Sequence, residues 1–297
     1  MYNEIAANKR KTVYLMFGFF VLISVLAWIL TSVYKDPSIF MFSIIFAVTY
    51  SLWGFFASSA LALTINGAKQ IQKSDNPRLF RIIENLAITD GLPTPKVYII
   101  EDTGLNAFAT GRNPEHASVA ITTGLLNILE DTELQGVMAH ELGHVKNYDI
   151  RVSMLAFALV GVISLLADIF LRISFWGGSS SDDSSDNSSG NTIMMVVAIA
   201  ALILAPIVAT FMQLAISRKR EYLADATGAL TTRYPEGLAS ALEKIRDGGS
   251  SLKRQNTSTA HFFIANPLKG KSMSSLLSTH PPIDDRIRIL RNMIGSK

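Results

Sequence analysis

A mainly α-helical membrane protein, with four transmembrane helices and an α+β domain on one side of the bilayer, is the fold class this sequence predicts. Three observations lead to it. Of the 297 residues, 49% are hydrophobic and only 17% are charged, where a soluble chain of this length carries about 25% charge. The apolar residues are gathered in four long blocks whose ends carry basic residues, the pattern that orients helices in a bilayer. The stretches between and after the blocks mix short β-branched segments with helical periodicity, as expected of a small sheet packed on helices.

The N-terminal hairpin is predicted over residues 1–68. Lys9-Arg10-Lys11 precedes a charge-free run from Thr12 to Tyr34, long enough at ~1.5 Å per residue to cross ~30 Å of hydrocarbon. The run is too long for the apolar core of a signal peptide and has no small-residue cleavage site, so it reads as a retained helix. Lys35-Asp36-Pro37 is a tight connection to a second apolar run, with Ile39–Leu63 as the span.

The chain then changes character. Arg78–Asp90 carries Leu79, Ile82, Ile83, Leu86 and Ala87 at helical spacing and is stopped by Gly91 and Pro93. Lys96–Glu101 is a short β-branched strand. Asn106–Gly111 and Ser118–Thr122 read as two more, joined by a turn at Arg112-Asn113-Pro114. After this small sheet a helix is expected from about Thr132 to Asn147, with Asp131-Thr132 and Gln135 as its capping box and Leu134, Val137, Met138 and Leu142 as its apolar stripe.

That helix holds His140-Glu141-Leu142-Gly143-His144. Histidines at i and i+4 share one face, one turn apart, where both imidazoles can bind one metal ion. Glu141 is turned about 100° from His140, so it points beside the metal, where it can take a proton from water. The chain has no cysteine, which excludes disulfides, a thiolate metal site and a cysteine nucleophile. Any metal is therefore held by His and carboxylate.

A second hairpin is predicted over 152–216, with a third run at Val152–Ala167, a Ser/Asp-rich outer loop at 177–191 and a fourth run centred on Ile193–Ile216. Asp168 and Arg172, at i and i+4, suit a pair at the far interface. Basic clusters stand before span one, after span two and after span four, which places both termini and the polar segments in the cytoplasm. The same placement accounts for the net charge of +3 without a nucleic-acid partner. The hairpin returns the chain to the membrane face it left, with His144 ~12 Å before its first arm and Glu221 ~6 Å past its second. Glu221 is therefore the expected third metal ligand. Asp225, one turn on, is the expected acceptor for the outer N–H of a ligand histidine, His140. Two His and one Glu leave a position for water, the arrangement of a catalytic zinc site.

These pieces resemble the HtpX-type membrane metalloproteases, the bacterial heat-shock protease group related to the CAAX prenyl proteases. The resemblance runs through the basic N-terminus, two spans, Asn106-Ala107-Phe108-Ala109, the zinc motif, a hydrophobic hairpin, Glu221-x-x-x-Asp225, and His280-Pro281-Pro282 with Arg286. It implies a zincin-like α+β domain built from 69–151 and 217–297, one Zn2+ per chain, and a location in the bacterial cell membrane. It also implies Glu141 as general base, His280 or Arg286 as oxyanion stabiliser, and Asn106–Ala109 as an edge strand that pairs with the backbone of a protein substrate. The activity implied is endoproteolysis of misfolded or damaged membrane proteins. A peptidase with one narrow substrate and a metal-stabilised adaptor without turnover are the competing readings, and Glu141 argues against the adaptor. The Ser/Gly-rich stretch 248–259 reads as a cover over the cleft or a linker, between helices at Pro235–Arg246 and Asp284–Ile294.

Overall fold

The computed structural model of the chain describes residues 2–176, 218–254, 256, 259–268 and 281–295. Two long helices come first, α1 (Tyr2–Tyr34) and α2 (Pro37–Ile65). Their segments Ile5–Trp28 and Pro37–Ile65 are long and apolar enough to cross a membrane. Asp36 caps α2, accepting from the Ser38 N–H at 2.9 Å. The fourth apolar run, the 177–191 loop and the side chains of Asp168 and Arg172 lie outside the described part.

Strands β1 (Ala68–Gln70), β2 (Lys96–Ile100), β3 (Ala107–Gly111) and β4 (Ala117–Thr122) form one sheet in the order β1-β2-β4-β3. The central β2–β4 pair is parallel and the outer pairs are antiparallel, so β3 is an edge strand. Helix α3 (Pro77–Asp90) packs on the sheet through Leu79 and Ile83. Asn76 caps its start on the Leu79 N–H at 3.0 Å, and Gly91 closes it in the left-handed conformation at φ +67°.

A short helix, α4 (Thr123–Ile128), leads into α5 (Asp131–Lys146), which is buried on almost every side and carries the histidine motif. The start of α5 differs from the expected box. Glu133, not Gln135, reaches back to accept from the Glu130 N–H at 2.8 Å. Glu133 is drawn inward because Ser240 and Lys244 of α8 (Pro235–Gly248) donate to it at 2.7 and 2.6 Å. Next comes α6 (Asp149–Trp176), which starts at Asp149, so the residues before Val152 are its first turn, not a connection. Helices α7 (Arg218–Thr232) and α9 (Ile283–Gly295) complete the bundle around α5.

Candidate metal centre

Helix α5 turns His140 and His144 to one side, with their rings edge to face and their Nε2 atoms 3.2 Å apart. Helix α7 brings Glu221 to them, Oε1 3.5 Å from His144 Nε2 and Oε2 3.9 Å from His140 Nε2. One donor atom from each of the three residues lies within 4.8 Å of the others. A tetrahedral ion bonded at ~2.0–2.1 Å holds its ligands about 3.3 Å apart, so these spacings suit zinc with little adjustment. The two helices approach closely because small residues meet. A Cβ on Gly228 would stand 3.0 Å from the His140 nitrogen, and one on Gly143 would stand 3.4 Å from Ala224 Cα.

Each imidazole has a carboxylate behind it. His140 Nδ1 lies 2.9 Å from Asp225 Oδ1, and His144 Nδ1 lies 3.1 Å from Asp149 Oδ2. With the Nδ1 protons donated outward, both Nε2 lone pairs face the same point beside Glu221. Two lone pairs and a carboxylate converging in a buried place repel one another unless a cation stands among them. The donor set, its spacing and its backing all fit the group.

Comparison with known proteins agrees with this geometry. Residues 73–294 match peptidase family M48. The chain is 48% identical to a protein described as "Protease HtpX homolog" from Tropheryma whipplei, over 99% of this chain and 98% of that one. A Listeria monocytogenes protein of the same description is 45% identical over 99% of this chain and all of its own. The chain belongs to peptidase family M48. It is a zinc metallopeptidase of that family, with His140, His144 and Glu221 as the metal site. At the level of fold it is similar to S. mikatae Ste24p, with a TM-score of 0.52 at 19% identity, covering 98% of this chain and 67% of the other.

Electrostatics at the M48 site follow from burial. Burial first, and the nearby Glu221 charge after it, push the Glu141 carboxyl up to about 7 against the opposing pull of His144. Burial pulls His144 the other way, but before a metal binds its Asp149 partner and the Glu221 and Glu141 charges carry the imidazole up to about 9, so binding a cation at Nε2 displaces a proton. His140 is lowered, chiefly by burial, despite its bond to Asp225. Asp225 is itself buried, yet the Arg286 guanidinium holds it down at about 2.

The remaining expected residues are distributed as follows. Arg286 is fully buried and grips Asp225 with Nε–Oδ2 and Nη2–Oδ1 at 2.9 and 2.7 Å. Its Nη1 donates to the Ile264 carbonyl at 3.1 Å and stands 3.9 Å from Glu221 Oε2. His280 lies outside the described residues. Strand β3 runs beside Glu141, whose carboxylate accepts from the Ala109 N–H. The Ala107 carbonyl accepts from the Ile264 N–H at 2.9 Å, while the Asn106 amide donates to the Ser250 and Ala265 carbonyls at 3.1 and 2.8 Å. The Phe108 ring is buried against Phe263, 4.9 Å away edge to face. Asp149 was not picked out by sequence reasoning. Its only signal there was an acidic residue shortly after the motif.

Proposed function

We propose that this chain is a membrane endopeptidase that hydrolyses peptide bonds of misfolded or damaged proteins, membrane proteins among them, at the cytoplasmic face. The observation that carries this reading is the placement of Glu141. It is a buried carboxylate next to a metal ligand in sequence, and it accepts from the backbone of an edge strand. Bound zinc supplies Lewis acidity toward the scissile carbonyl and the attacking water. Glu141 would take the proton of that water and return it to the leaving amine. Asp225 and Asp149 hold the two imidazoles in the tautomer that leaves Nε2 free for the metal.

Substrate is held in extended form along β3, which recognises backbone more than side chains and so suits loose specificity. The bond from Ile264 to Ala107 occupies part of that edge, and substrate takes its place. Arg286 has most of its donors committed to Asp225 and to the Ile264 carbonyl. That arrangement favours a role in orienting Asp225 over donation to the reacting oxygen.

Glu141→Gln tests the reading. The variant should keep zinc and fold while cleaving an unfolded protein such as casein about 10²–10⁴-fold more slowly. Wild-type cleavage by that variant would remove Glu141 from the role of base.

A further inference from the structure

The metal centre does not end at α5, α6 and α7. We infer that the N-terminal helix is part of its scaffold: Asn8 of α1 is a positioning residue that sets the Asp149 carboxylate and, through it, the imidazole of His144.

Asn8 lies ahead of the charge-free part of α1 and is 1% exposed. Its amide Nδ2 donates to two acceptors, the Asn147 carbonyl and Asp149 Oδ1, both at 2.8 Å. Both acceptors sit on the link that joins α5 to α6. The residue between them, Tyr148, has φ +61°, a left-handed conformation that a bulky side chain adopts only when its surroundings impose it. The surroundings here are largely α1 and α6. Lys9 Nζ stands 4.7 Å from the centre of the Tyr148 ring, and the Arg151 guanidinium stands 5.2 Å from it. Asn8 and Lys9, adjacent on α1, thus hold the two sides of this one turn.

The turn is what brings Asp149 back toward the metal ligand. The two carboxylate oxygens then have different partners. Oδ2 meets His144 Nδ1 at 3.1 Å, and Oδ1 takes the Asn8 amide, with Arg220 Nη1 more distant at 3.4 Å. A carboxylate at the first position of a helix has competing attractions, since the free N–H groups of its own first turn and a nearby guanidinium both draw it. A donor fixed on Oδ1 from a different helix sets the plane of the group and leaves Oδ2 facing the imidazole. An amide suits this task because it orients Asp149 without neutralising the charge that His144 uses.

A purely structural Asn8 would join α1 to the rest of the protein and leave the metal unaffected. The two roles separate by experiment on the full-length protein in detergent, stripped of metal and titrated with zinc against a chromophoric chelator. Asn8→Ala should weaken zinc binding about tenfold, the low end for groups that support a metal-binding histidine, and should alter the visible spectrum of the Co2+-loaded protein. Thr12→Val, one turn further along α1, removes a buried hydroxyl that, among the described residues, bonds the Asn8 carbonyl at 3.0 Å. It should leave both readouts at wild type. In an Asp149→Ala background, adding Asn8→Ala should cost nothing further, because the route to the metal is already cut.

If Asn8→Ala binds zinc like wild type, or loses the same factor with and without Asp149, the proposal is overturned. If Thr12→Val moves the Co2+ spectrum as Asn8→Ala does, the effect belongs to the helix as a whole and the proposal also fails. Should Asn8→Ala not accumulate, Asn8→Ser carries the same test with a shorter donor, zinc affinity below wild type supporting the role and wild-type affinity excluding it.

Discussion

Arg286 and Asp225 form an ion pair that is closed off from solvent, directly behind His140. Two parallel bonds to one carboxylate are something only a guanidinium supplies. Arg286→Lys keeps the charge and loses the fork, so we expect a loss of about 1–3 kcal/mol in stability together with weaker zinc binding. Arg286→Ala leaves Asp225 buried and uncompensated, at about 3–5 kcal/mol. Thermal unfolding in detergent, with zinc content measured on the same samples, checks both, and a lysine variant as stable as wild type would show that charge alone suffices. The same scale shows what a sequence can reveal of such a site. His140, His144, Glu221 and Asp225 are legible because regular helix geometry relates each pair. Asp149 is not. On a continuous helix it would stand about 140° around from His144, on the wrong side. Only the break at Tyr148, φ +61°, brings it to the imidazole, and nothing in the residue types announces a left-handed tyrosine.

At the scale of elements, the site depends on how tightly α5 is enclosed. Two turns before Gly143 on nearly the same face, a Cβ on Gly136 would stand 2.5 Å from the Leu238 backbone nitrogen and 2.8 Å from Leu238 Cα. Gly136→Ala gains about 1 kcal/mol of helix propensity. Against backbone atoms that cannot rotate away, overpacking costs about 1–3 kcal/mol, so the net change should be destabilising and visible as a lower Tm. A stabilised variant would mean that α5 and α8 separate freely.

Strand β3 gives the second expectation at this scale. Substrate that pairs along its edge must displace the Ile264 N–H from the Ala107 carbonyl, whereas the inner bond from the Thr122 N–H to the Asn106 carbonyl at 3.0 Å is untouched. Hydrogen exchange on Glu141→Gln protein with an unfolded peptide present should therefore deprotect Ile264 and spare Thr122. Unchanged protection at Ile264 would place substrate elsewhere. Three of the four strands are legible from short β-branched segments and turn residues. The Ala68–Gln70 strand is not, because Ala-Lys-Gln has no strand preference of its own and becomes one only by pairing with Tyr98, Ile99 and Ile100.

For the whole molecule, the contacts of the described residues bring several chain segments to one end. Asn8 bonds the α5–α6 link, so the start of α1 lies beside the metal site. The end of α2 packs there too, with Ala62 and Leu63 in a cluster that includes Phe108, Phe262 and Phe263. The connection at Lys35 and Asp36 is the far tip of that hairpin, about 40 Å away along helices of roughly thirty residues. Helix α6 leaves from the metal end and α7 begins at it with Glu221. We propose from Lys9-Arg10-Lys11 that this end is the side retained in the cytoplasm. A reporter active only in the cytoplasm should therefore work when fused after Lys297 and fail when inserted between Lys35 and Asp36, while an exported reporter should show the opposite. Equal signals at the two positions would mean that α1 and α2 do not cross. An exported signal after Lys297 would put the metal end outside, and the basic cluster would then need another explanation.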